Sequence, residues 1–131
     1  MLDHVSITAP DLGAAARFYD AVMAALGVPC IGRSERWIGY GDRADATHPG
    51  RCFIALYAGP APEPGSRRHW CFKARDRAAV DAFWRAGLET GGTDDGAPGL
   101  RPHYHAHYYG AFLRDPAGNR VEAVCNEAPS R

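Results

Sequence analysis

The chain has 131 residues, enough for one compact domain or two small modules sharing a core, and its 46% hydrophobic content is sufficient to build that core. Fifteen basic and fifteen acidic side chains cancel to a formal net charge of zero, which removes the electrostatic footprint of a nucleic-acid binder. No apolar run is long enough to span a membrane, and the N-terminus carries no basic segment followed by an apolar stretch, so the expected setting is the cytoplasm. Four cysteines, Cys30, Cys52, Cys71 and Cys125, are scattered without a Cys-x-x-Cys pair and read as reduced, mostly core thiols. Only the last few residues have the composition of a disordered end.

In chain order, the segment from His4 to Ala9 alternates as a strand, with Val5 and Ile7 on one face and His4, Ser6 and Thr8 on the other. Pro10-Asp11 closes it, and Asp11 is placed to cap a helix. Leu12, Ala15, Ala16, Tyr19, Val22, Met23 and Leu26 then form a helical stripe that stops at Gly27. Three short strands are expected around Val28–Arg33, Arg36–Gly41 and Arg51–Ala58, with 42–50 as a loop. Residues 60–66, Pro-Ala-Pro-Glu-Pro-Gly-Ser, make a stiff linker near the midpoint.

That position prompts a search for a repeat, and one appears at an offset of 65. His4 maps to His69, Ala9 to Ala74, Asp11 to Asp76, Phe18 to Phe83, Tyr19 to Trp84 and Gly27 to Gly92. The second copy is therefore a strand from His69 to Ala74, a cap at Asp76, a helix to about Glu89 and a stop at Gly91-Gly92. The fold class is α+β: two tandem βαβββ modules forming a curved mixed sheet, module one over about 1–59, the linker over 60–66 and module two over about 67–126. Trp70 and Phe72 would face the second helix as Val5 and Ile7 face the first. Trp37, Trp70 and Trp84 read as core or interface aromatics, and Cys71 shares the face of His69 as a small core thiol.

The chain closes on a strand pair. Asp115-Pro116-Ala117-Gly118-Asn119 is turn chemistry between two apolar runs. On the returning strand Val121 and Ala123 point one way, and Arg120, Glu122 and Val124 the other. A carboxylate inside a short apolar strand is costly to bury alone. Glu122 therefore reaches solvent, pairs with Arg120 or another arginine, or holds a metal. His4, His69 and Glu122 are expected to converge on one concave face. Ahead of this pair, the stretch from Leu100 to Tyr109 is rich in histidine and tyrosine. If extended, it would send His103, His105 and His107 to one side and Tyr104 and Tyr108 to the other.

Together the His4 strand, the Pro-Asp-Leu turn into a helix carrying Phe18-Tyr19, the His69 strand and Asp-Pro-x-Gly-Asn-x-x-Glu resemble the vicinal oxygen chelate superfamily. That group includes glyoxalases, fosfomycin-resistance transferases, extradiol dioxygenases and metal-free bleomycin-binding proteins. The resemblance implies His4, His69 and Glu122 as ligands of a divalent ion, Fe, Mn, Zn or Ni. The fourth glyoxalase ligand is a glutamate, and Ala55 stands at that place. Two histidines and one carboxylate remain, as in fosfomycin-resistance proteins and extradiol dioxygenases. The expected activity is a metal-dependent lyase, isomerase or transferase acting on a small polar molecule through a metal-bound oxyanion. The alternatives are an Fe(II) extradiol-type dioxygenase and a metal-free drug- or metabolite-binding protein. His103, His105 and Tyr104 are the expected acid–base residues, and Arg101 and Tyr108 the expected substrate contacts. A homodimer is expected, with the site inside one chain or shared across the pair.

Overall fold

A computed structural model describes residues 1–129; the expectation of a disordered end therefore falls partly outside the described residues. Its elements run β1 (His4–Ala9), α1 (Leu12–Leu26), β2 (Cys30–Arg33), β3 (Trp37–Gly41), β4 (Phe53–Ala58), β5 (His69–Lys73), α2 (Arg77–Glu89), β6 (Thr93–Leu100), β7 (Tyr109–Arg114) and β8 (Arg120–Cys125). This is βαβββ twice. The strands do not merge into one sheet within the chain. They form two four-stranded sheets, ordered β1-β4-β3-β2 and β5-β8-β7-β6, each with one parallel pair and the rest antiparallel. No helix among the described residues is long and apolar enough to cross a membrane.

Both helices begin as their sequences dictate. Asp11 accepts the amide of Ala14 and Asp76 that of Ala79, each satisfying a donor that the first turn leaves free. Gly27 ends α1 in the left-handed region at φ 73°, which lets the Val28 amide reach back to the Met23 carbonyl. The core is common to both modules. Ile7, Ile38 and Leu56 of the first sheet meet Phe18, Tyr19 and Val22 of α1, Val80 and Phe83 of α2, and Leu113, Val121 and Ala123 of the second sheet. The repeat-related Phe18 and Phe83 are both fully buried, whereas Tyr19 is buried and its counterpart Trp84 lies half-buried with its indole N–H on Asp94.

The Asp115–Asn119 turn does more than reverse the chain. Asp115 is 3% exposed. One of its oxygens accepts the amides of Ala117 (2.9 Å) and Asn119 (2.8 Å), and the other accepts the Tyr19 hydroxyl (2.8 Å) and the Asn119 side-chain amide (2.9 Å). Asn119 also donates to the Thr8 carbonyl across the module boundary. The turn thus bolts the last hairpin of one module to the helix and first strand of the other. With four donors the buried carboxylate is saturated.

Candidate functional site

Each sheet packs one face on the shared core and leaves the other free of helix. On the first sheet that free face carries His4, Ser6 and Thr8 of β1, Phe53, Ala55 and Tyr57 of β4, and Trp37 and Gly39 of β3, set by the registers His4↔Phe53, Ser6↔Ala55 and Gly39↔Ala55. On the second sheet it carries His69 and Cys71 of β5 and Glu122 of β8, with Cys71 directly opposite Glu122. Ala55 opposite Ser6 occupies the same station in module one as Glu122 opposite Cys71 in module two. Module one thus has an alanine at the station where module two has Glu122.

Glu122 is the focus of the second face. It is only 2% exposed, yet no arginine among the described residues reaches it; Arg120 instead pairs with Asp95 at 2.9 Å. One Glu122 oxygen lies 3.2 Å from His69 Nε2, and the other accepts the Tyr108 hydroxyl. His69 keeps its side chain 45% exposed. Gly110 leaves the room for this cluster: a Cβ there would stand 3.2 Å from the Tyr108 ring and 3.3 Å from the carboxylate. Burial, then the hydrogen bond to Glu122, pushes the Tyr108 phenol well above its ordinary range. Cys71 is exposed rather than the core thiol expected of it, because it lies on the helix-free face; partial desolvation and the neighbouring carboxylate still push its thiol up to about 12. Both groups hold their protons at neutral pH.

The expected convergence of three ligands does not occur within one chain. His4 belongs to the other sheet, where its Nδ1 meets Asp3 at 2.7 Å and its ring stacks on Phe53 at 4.9 Å with the side chain 54% exposed. Among the described residues no group of three or more His, Cys, Asp or Glu side chains is assembled closely enough to hold a metal. Strand alternation gives each histidine its face, but the two modules put those faces on separate sheets.

The histidine- and tyrosine-rich stretch is also not extended. Tyr104 donates its amide to Arg101 and Tyr108 its amide to His105, so residues 101–108 fold into two consecutive turns. Turns bring residues three or four apart together. Tyr104 therefore stacks against Tyr108 (4.7 Å) and His103 against Tyr104 (4.3 Å), while the His105 ring meets Tyr108 edge-on at 5.5 Å. The expected split of histidines to one side and tyrosines to the other is replaced by one mixed aromatic cluster above Glu122. His105 Nδ1 accepts the His107 amide, so its proton sits on Nε2, which donates to Asn126. Arg101 spans Phe112 at 5.6 Å and donates to the Ala97 carbonyl at 2.8 Å, bracing the loop.

The donor pair on the second sheet fits a divalent ion. Two ligands at right angles on an ion with bonds of about 2.1 Å stand about 3 Å apart, close to the 3.2 Å between His69 and Glu122. The carboxylate is also desolvated without a permanent cation beside it, the condition that a bound metal relieves.

Two residues of this region carried no sequence signal. Arg43 lies in the loop between β3 and β4, with its guanidinium 5.0 Å from the Phe53 ring and 5.7 Å from Trp37. Phe112 lies opposite Glu122, with its ring 6.4 Å from that of His69. Only the strand register reveals Phe112, and only the loop conformation reveals Arg43.

A family model described as the glyoxalase/bleomycin resistance protein/dioxygenase superfamily matches residues 1–123. No curated protein matches the sequence. Among solved structures, the chain is similar to a glyoxalase/bleomycin resistance protein from Albidiferax ferrireducens T118, at 30% identity and a TM-score of 0.74, covering 95% of this chain and 97% of that one. It is similar to a glyoxalase/bleomycin resistance protein/dioxygenase family enzyme from Burkholderia phytofirmans PsJN, at 23% identity and a TM-score of 0.69, with 95% and 98% covered. It also shares its fold with a point mutant of the genomically encoded fosfomycin resistance protein FosX from Listeria monocytogenes, complexed with Mn(II) and 1S,2S-dihydroxypropylphosphonic acid. That likeness is at 14% identity and a TM-score of 0.68, with 97% and 90% covered.

Proposed function

The chain belongs to the glyoxalase/bleomycin resistance protein/dioxygenase superfamily, and we propose that it is a metal-dependent lyase, isomerase or transferase for a small polar molecule, with each site assembled between two copies of the chain. The observation that carries this reading is the buried Glu122 carboxylate, 3.2 Å from a half-exposed His69 and unpaired with any arginine among the described residues. His69 and Glu122 of one copy and His4 of the other would hold Fe, Mn, Zn or Ni. Bound there, the ion supplies Lewis acidity to a substrate oxygen. Exchange between copies is supported by the separation of His4 from the His69–Glu122 pair on two sheets and by the exposure of both histidines on their helix-free faces.

The chain's own residues do the rest. Tyr108 keeps its proton beside Glu122 and orients the carboxylate. When the substrate develops negative charge, the same phenol can donate a hydrogen bond to it. Tyr104 and His103 stack outward from Tyr108 and extend the aromatic wall of the site. His103 is the acid–base candidate of this loop, because His105 has both ring nitrogens committed. The cytoplasm suits a protein whose four cysteines are all free.

A second reading, a metal-free binding protein, is favoured by one feature: Tyr108 and His69 already satisfy both Glu122 oxygens. Equilibrium dialysis of chelator-stripped protein against Fe(II), Mn(II), Zn(II) and Ni(II) decides between them. The enzyme reading expects about one equivalent per chain of at least one metal at micromolar concentration. That capacity should be lost in each of His4→Ala, His69→Ala and Glu122→Ala. Less than about a tenth of an equivalent throughout would leave the binding protein. Iron-loaded protein that consumes oxygen with catechols would make it an extradiol-type dioxygenase instead.

A further inference from the structure

The free face of the first sheet holds a row of stacked groups beside His4. His4 stacks on Phe53 at 4.9 Å with planes only 14° apart. Arg43 comes next, its guanidinium carbon 5.0 Å from the Phe53 ring and 5.7 Å from that of Trp37. Trp37 is seated by two glycines: a Cβ at Gly39 would stand 2.6 Å from the indole and one at Gly32 3.0 Å, so the ring occupies space that only glycine leaves open. Next to this row, Gly39, Ala55 and Ser6 lie side by side across three strands; Gly39 is covered by the Trp37 and Ile31 side chains and Ala55 is buried, so the open edge of the row is the exposed His4 and Ser6 of β1.

No acceptor among the described residues reaches the Arg43 guanidinium, and unlike Arg36, which also lacks one, it is held over two aromatic rings. Arg33 is tied to Asp20 at 2.7 Å, Arg114 and Arg120 to Asp95, and Arg101 to the Ala97 carbonyl. Asp45, in the same loop as Arg43, is taken up by Thr47, His48 and Arg51. Among the described residues Arg43 makes cation–π contacts only. Such contacts fix the plane of a guanidinium while leaving its N–H donors free at the edge. A planar donor set of that kind suits a carboxylate or phosphonate, which it can grip through two parallel hydrogen bonds.

We propose that Arg43 is the anion-binding residue of the site and that the substrate is a small organic acid, its carboxylate or phosphonate held by Arg43 and its body lying along the exposed His4 and Ser6 side of the same face. The inference rests on the His4 face being the substrate face. It does not depend on a metal being bound.

Isothermal titration of chelator-treated protein with benzoate, phenylphosphonate and the neutral isostere benzamide tests it. Both acids are expected to bind at least about tenfold more tightly than benzamide. Arg43→Gln should bring the acids to the level of benzamide, and Arg43→Lys should retain part of the difference. Arg85→Gln, an exposed arginine on α2, should behave as wild type. A comparison of benzoate with phenylphosphonate then says which oxyanion the site prefers. The inference is overturned if benzamide binds as well as the acids, if neither acid binds up to about 10 mM, or if Arg43→Gln retains wild-type affinity. It is also overturned if binding is lost in Arg68→Gln instead, which would assign the anion to the 440 Å³ cavity lined by Arg68, Arg114 and Arg120. Metal uptake by Arg43→Gln is expected to match wild type. Anion binding that persists in a protein taking up no metal would remove the metal reading and leave this one standing.

Discussion

Asp115 and Glu122 lie seven residues apart on one hairpin, are buried to the same degree, and have opposite surroundings. Asp115 accepts four hydrogen bonds, two of them from backbone amides of its own turn, and all its partners are fixed by the fold. Glu122 accepts two, from His69 and Tyr108, side chains that stand at the edge of solvent and can move away. A buried carboxylate whose acceptor sites are filled by rigid donors holds a structure together. One served by movable donors has capacity left for a ligand. The first is the bolt between the modules, and the second is the focus of the proposed site.

The largest expected effect comes from breaking the bolt. Asp115→Ala strands the Tyr19 hydroxyl and two turn amides in the interior and should cost about 3–5 kcal/mol in urea unfolding. Glu122→Gln should change stability by less than about 1 kcal/mol in either direction, because removing a buried charge offsets the lost hydrogen bonds. Equal losses for the two variants would erase the distinction.

Tyr19→Phe sharpens the same contrast at smaller scale, with an expected loss of about 1–2 kcal/mol. It also carries a pH signature. Burial, and then Asp115, hold the Tyr19 phenol well above its ordinary value, so the folded chain keeps a proton that the unfolded chain releases near pH 10. The contribution of that group is fully present below about pH 10 and is lost as pH rises above it. The alkaline fall in stability should therefore be shallower in Tyr19→Phe than in wild type, as measured by thermal unfolding between about pH 8 and pH 11.

The smallest effect on stability, within about 0.5 kcal/mol, is expected for Tyr108→Phe, since losing the half-exposed hydroxyl leaves room for a water at the freed oxygen. Its effect should appear in binding. With the competing phenol removed, metal affinity measured against a chromophoric chelator should rise by several-fold, or about 1 kcal/mol. A loss of fold in Tyr108→Phe would place Glu122 in the same structural class as Asp115.

Much of this is legible in the sequence, for a definite reason. The βαβββ repeat shows because Asp11 and Asp76 cap helices of matching pattern, and because strand alternation fixes which face His4, His69 and Glu122 take. The Asp115–Asn119 turn is legible as a turn but not as a bolt, since its partners Tyr19 and Thr8 are more than ninety residues away. Strand β6 escapes because Thr93–Leu100 is rich in glycine and charge, and its register shifts near Gly96 break the alternation. The loop at 101–108 differs from its expected form because alternation assumes extension, and two backbone hydrogen bonds fold it instead. Arg43 is invisible because its meaning depends on which rings the loop brings it between. A four-stranded sheet for each half follows from the repeat, but which two halves face each other is out of reach, because local pattern gives the face of a strand and not what lies across from it.

The central claim is that a site needs His4 from one copy and His69 with Glu122 from another. Differently tagged His4→Ala and Glu122→Ala subunits, co-expressed and purified as mixed dimers, test it by metal content. Each variant alone should bind essentially none, while the mixed dimer should recover about half the wild-type capacity, because one of its two sites contains no lesion. No recovery in the mixed dimer, or a wild-type protein that sediments as a monomer at micromolar concentration while binding its full metal, would contradict the account.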